Sequence, residues 1–137
     1  MQPRNFTLTA LLCLALVPAV RAERPQQQKN VATDVVVGTV EKVTTSERAF
    51  GGDGVLTNYS ATVKVDKVER GDSIKPGDTI TVTWFQVTKR PSRPLPGAYG
   101  HGYPVKEKAS IRTWLLKGRD RTFGVIYNSA GIEDADK

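Results

Sequence analysis

The chain holds a single histidine, His101, between Gly100 and Gly102. Histidine is the one side chain whose ordinary titration falls near neutral pH, so it is the first place to look for acid–base or metal chemistry. A general base needs a nucleophile or an orienting carboxylate in reach, and the nearest acidic residue along the chain is Glu107. A zinc site needs two or three further ligands, and without a nearby cysteine only carboxylates could supply them. Two roles stay open for His101. It could centre a metal-dependent hydrolase, or it could be a loop histidine satisfied by backbone hydrogen bonds. The pattern names no catalytic residue, no metal ligand set and no cofactor. Gly51-Gly52-Asp53-Gly54 lacks the Lys-Ser/Thr ending and following helix of a phosphate-binding loop, and it reads as a turn. Arg70-Gly71-Asp72 reads as a turn as well.

The segment from Lys89 to Lys108 is the better candidate for function. It carries Pro91, Pro94, Pro96 and Pro104 with several glycines, so it cannot form a helix of any length. Arg90 and Arg93 precede Tyr99, His101 and Tyr103, and Trp114 follows on the next strand. These six residues are the candidate binding residues. Basic and aromatic side chains together suit phosphate contacts and base stacking, and they equally suit an anionic polymer or a protein partner. Long loops without structure of their own are often functional. The competing role is a lid whose tyrosines pack down on the core.

Residues 1–22 carry an address. Arg4 is followed by an apolar run from Leu8 to Val17, then Pro18, with Val20 and Ala22 ahead of a cleavage site. The run is too short for a membrane span, so no stable span is expected after cleavage. The expectation is an exported protein, periplasmic or extracellular, which argues against a nucleic-acid partner. The sole cysteine, Cys13, lies in this segment and would leave with it, removing thiol chemistry from the mature chain. The net charge of +6 includes Arg4 and Arg21 of the same segment. A modest basic excess speaks to solubility more than to a ligand.

What must position the candidates is a set of strands. Glu23 to Thr33 begins as a polar, flexible leader. Val35 to Val43 is rich in β-branched residues and interrupted by Gly38, which signals a bulge or bend. Tyr59, Ala61, Val63 and Val65 alternate with polar residues, and Val68 breaks the phase. Thr79 to Phe85 puts Ile80, Val82 and Trp84 on one face. Ile111 to Leu116 and Phe123 to Tyr127 form a hairpin about Lys117–Asp120. The tail 129–137 reads as loose. Five such strands hide their edges most economically as a small barrel, whereas an immunoglobulin-like sandwich wants about seven.

The stretches Val36 to Val40, Tyr59 to Asp72 and Lys75 to Val82 resemble exported bacterial OB-fold-like domains. Their layout is similar to that of tissue-inhibitor-of-metalloprotease and netrin-type domains. Gly97 to His101 followed by Arg112 to Lys117 looks like the second half of the bacterial domains. The resemblance implies an OB-like barrel and export, and it assigns no activity. The metalloprotease inhibitors use an N-terminal cysteine, which this mature chain lacks, so that mechanism does not carry over.

The sequence thus predicts an all-β protein, a small five-stranded OB-like barrel preceded by a cleavable signal peptide. Its parts are a signal at 1–22, a leader at 23–33, the barrel at 34–128 and a tail at 129–137. The expected function is a non-catalytic module that binds an unknown protein or anionic polymer through the Lys89–Lys108 loop. The alternatives are an OB-type oligonucleotide or polyanion binder and a metal-dependent hydrolase using His101.

Overall fold

A computed structural model describes residues 25–93, 100–102 and 104–136. The expected signal at 1–22, Tyr99 and Tyr103 lie outside the described residues. The protein is all-β, with a short 3-10 turn at Lys29–Val31 and no α-helix among the described residues. Six strands follow: β1 (Asp34–Phe50), β2 (Gly54–Arg70), β3 (Thr79–Lys89), β4 (Ser110–Lys117), β5 (Thr122–Val125) and β6 (Ile132–Asp134).

The strands run in the order β1-β2-β3-β5-β4-β6, and β1 also pairs with β4. The first five strands therefore close into a ring. All neighbours are antiparallel except β3 and β5, which run parallel. The interior is filled from every strand of the ring. Val36, Val40, Val63, Ile80, Val82, Ile111, Leu115 and Phe123 are all buried in one cluster, and Trp84 joins it with Tyr59 stacked on its ring at 5.2 Å. These are the β-branched and aromatic positions whose two-residue period marked the strands in the sequence.

Ring closure needs bends, and the ladder between β1 and β2 shifts register at three places. One shift falls between Val37 and Gly38, where a Cβ would lie 2.6 Å from the Lys64 carbonyl oxygen and 2.7 Å from Val63 Cγ1. Only glycine permits that approach of the two backbones. Another falls opposite Val68, which accounts for the phase break there.

Beyond the ring, β1, β2 and β3 continue as a three-stranded arm. The β1–β4 pairing ends at Thr39 and the β3–β5 pairing at Thr83, while β1 and β2 stay paired to Phe50 and Gly54. Gly51 and Gly52 turn the hairpin with φ of 59° and 93°. The sequence marked only the clearly alternating parts of these strands, because the run Thr44 to Arg48 on β1 is polar and the apolar residues of the arm, such as Leu56 and Val87, are too few to set a period.

Two segments differ from the sequence expectation. Within the tail 129–137, Ile132–Asp134 pairs with β4 as β6, and Ile132 is buried at 2% exposure. One apolar residue among acidic ones gives no period to read, yet it suffices to dock a three-residue strand. Within the leader 23–33, Gln27 is tied three times to the far end of the chain. Its N–H donates to the Tyr127 carbonyl oxygen at 2.7 Å. Its Oε1 accepts from the Tyr127 N–H, and its own carbonyl oxygen accepts from Asn128 Nδ2, each at 2.7 Å. Lys29 adds an ion pair with Glu133 and lies 3.5 Å from the centroid of the Trp114 ring. The leader is polar but not loose from Gln26 onward, because hydrogen bonds hold its first part and Ala32 is buried at its end.

Buried Asp34 accepts from Thr33 Oγ1 at 2.7 Å and Ser73 Oγ at 2.9 Å, which satisfies a carboxylate that is only 1% exposed. The outer ion pairs are Arg112–Glu69 at 2.9 Å and Arg121–Asp78 at 2.6 Å. The hydrogen bond from Arg112 holds the Glu69 carboxyl below its ordinary value. The Lys75 N–H and then Arg121 do the same for Asp78, and Ser92 does so for Asp53. Carboxyls lowered in the folded state add stability that is present above their unfolded pKa and lost as the pH falls through the folded value. The urea midpoint is therefore expected to be flat from neutral pH down to about 5 and to fall below about pH 4. Glu69→Gln should flatten part of that acid slope, and an unchanged slope would remove Glu69 from the account.

Candidate functional site

A cavity of about 430 Å³ opens where the arm leaves the ring. That volume is within the usual range of small-ligand sites. Residues directly opposite across a ladder share one face of the sheet, so register alone builds its floor. Thr44 pairs with Ser60, Ser60 with Thr83, Thr83 with Gly124, and Gly124 with Leu116. One row of side chains thus crosses all five strands of the ring, and four of its members line the cavity. A second row, Ser46, Asn58 and Phe85, runs beside it and also lines the cavity.

These rows lie on the outer face. The row between them, Thr45, Tyr59 and Trp84, alternates to the core side, where Trp84 is in the interior cluster and Tyr59 packs against it, and this row also contributes to the lining of the cavity. Gly124 leaves a gap in the first row. A Cβ built there would meet nothing within 4 Å, so the space above it is open. The far wall is aromatic. Phe85 and Tyr127 stack with centroids 5.9 Å apart, and His101 meets both edge-on. Gln27 of the pinned leader completes the rim.

The floor is rich in unspent hydrogen-bonding capacity. Ser46, Asn58, Ser60 and Thr83 make no side-chain hydrogen bond to another described residue, while Thr44 Oγ1 donates to the Ser60 carbonyl oxygen at 3.3 Å. The described lining includes no lysine, arginine, aspartate or glutamate. A site without counter-charge is poorly suited to a highly charged ligand.

Of the six residues singled out in the sequence, the structure brings His101 to this cavity. It is buried, with Nδ1 3.0 Å from the Phe85 carbonyl oxygen and Nε2 2.9 Å from that of Ile126. Both ring nitrogens thus face backbone carbonyl oxygens, with one N–H to give in any neutral tautomer, and no group of three or more metal-ligating side chains exists among the described residues. The backbone N–H of His101 also donates to the Phe85 carbonyl oxygen at 3.0 Å, and Gly100 bridges Gln86. The end of the Lys89–Lys108 loop therefore runs back along the edge of β3 past the end of β5.

Arg90 and Arg93 are exposed at the other end of that loop, near the hairpin turn, where Ser92 binds Asp53 through both its N–H and its hydroxyl. They do not line the cavity. Trp114 lies on the outer face of β4 against the cluster of Ala32, Val35 and Ile126, under Lys29, and does not line it either. The residues missed from the sequence are the hydroxyl and amide side chains of the arm. Nothing local marks them, because they come together only through register.

No family model matches this chain, and no curated protein or solved structure is significantly similar to it.

Proposed function

We propose that this chain is an exported, non-catalytic binding module. It is an OB-like barrel that takes its partner on the outer face of β1, β2 and β3, with His101 of the Lys89–Lys108 loop in the wall of the site. Export rests on the signal pattern of residues 1–22. The barrel reading is supported by the closed ring of five strands around one core. OB barrels take ligands on the face of their second and third strands and the adjoining loops, which is the place of the cavity here.

The observation that carries the function is the cavity itself, a concave site with aromatic walls and unpaired hydroxyl and amide groups. His101 favours binding over hydrolysis, since its two ring nitrogens face the backbone carbonyl oxygens of Phe85 and Ile126 rather than a nucleophile or a carboxylate. The described lining, which carries no charged side chain, favours a neutral surface on the partner over an oligonucleotide or another polyanion.

The test is a nuclear magnetic resonance screen with a library of small neutral fragments. Amide shifts are expected to cluster on residues 44–46, 58–60 and 83–85. Shifts confined to the Lys89–Lys108 loop, or scattered over the surface, would overturn the groove as the site.

A further inference from the structure

We infer that the groove takes a neutral oligosaccharide. This rests on the groove being the binding site and names what it binds.

The hydroxyls of Ser46, Ser60 and Thr83 and the amide of Asn58 can each donate and accept. They stand in two parallel rows and make no side-chain hydrogen bond to another described residue. A ligand must answer both functions at several neighbouring points, and sugar hydroxyls are the neutral groups that do so repeatedly along a chain. An apolar ligand would bury this floor unpaired, at a cost for each group left unmade. An anionic ligand would lose water with no cation of the described lining to meet it.

The walls fit the same chemistry. A sugar ring has hydroxyl edges and a face of C–H groups, and Phe85, Tyr127 and Leu116 offer that face apolar surface beside the polar floor. The gap at Gly124 gives the ring depth between Thr83 and Leu116. An extended peptide is served less well. The backbone groups of β2 are already committed to the ladders with β1 and β3, so a peptide lying over the middle of this face has no strand to join, and the edge of β1 beyond Thr39 lies at the side of the groove.

The experiment titrates the full chain, followed by amide shifts, with maltotetraose, cellotetraose and chitotetraose. A neutral peptide rich in serine and threonine and a heparin oligosaccharide run in parallel. At least one neutral tetrasaccharide is expected to give saturable shifts at residues 44–46, 58–60 and 83–85. Gly124→Leu should weaken that binding by about tenfold or more, equivalent to about 1.4 kcal/mol, with cooperative unfolding retained, since a Cβ at this position meets nothing within 4 Å. The double change Asn58→Ala and Ser60→Ala should weaken it as well. Groove shifts with the peptide or heparin but with no neutral sugar would overturn the sugar class and leave the groove standing as a site. Tetrasaccharide binding unaffected by Gly124→Leu would overturn its placement. If no probe of any class moves the groove amides, both readings fall.

Discussion

Phe123→Ala is expected to lower the free energy of unfolding by about 3–5 kcal/mol. Phe123 is 2% exposed and stands on β5, a strand of four residues. In the ring, β5 is what joins β3 to β4, through three paired residues on each side. So short a strand draws little from its own ladder and is held by what its side chains bury. Removing the ring of Phe123 leaves a cavity against Val82 and its neighbours and loosens the strand that closes the circle. Urea unfolding of the two proteins reads this directly. A loss below about 1 kcal/mol, the scale of an ordinary surface change, would mean that β5 is not anchored through this side chain.

His101→Ala should cost about 2–4 kcal/mol, mainly from the space the imidazole vacates and from its lost side-chain hydrogen bonding, since the Phe85 and Ile126 carbonyl oxygens keep the N–H groups of residue 101 and Asn128. The aromatic contacts with Phe85 and Tyr127 go with it. The effect should be local as well as global. Hydrogen exchange should quicken at His101 and Gly100, whose backbone lies along Phe85 and Gln86. His101→Gln, which keeps a donor, should recover part of the loss. Stability unchanged in the alanine variant would show that the histidine is not the pin that fastens this end of the loop. A role in chemistry rather than architecture would then be reopened.

Much of the fold is legible in the sequence because it is local. The alternation through Tyr59 to Val65 and through Thr79 to Trp84 marks two strands and names which side of each is buried. Gly38 and Val68 announce the irregularities that the β1–β2 ladder shows. β6 and the tied leader are not legible, since Ile132 and Gln27 act through partners far along the chain. The site is the least legible part. The sequence draws attention to charge and aromaticity near Arg90, Arg93 and Trp114. The cavity is instead floored by Thr44, Ser46, Asn58, Ser60 and Thr83, which are ordinary polar residues until register sets them side by side. A row across five strands is a property of pairing, and no window along the chain contains it.

The seam between β1 and β4 has a kinetic meaning. It joins Val36 to Thr113 and Gly38 to Ile111, nearly the whole domain apart in sequence. The chain must lose the entropy of closing that large loop before the seam returns any contact energy. Hairpin β1–β2 can form early, while the seam has to wait for the intervening strands. Such non-local topologies refold in milliseconds to seconds. Until the seam shuts, the edges of β1 and β4 stand open to any other strand in solution. Crowded refolding should therefore favour aggregates, and dilution or slow release of chains should favour the ring.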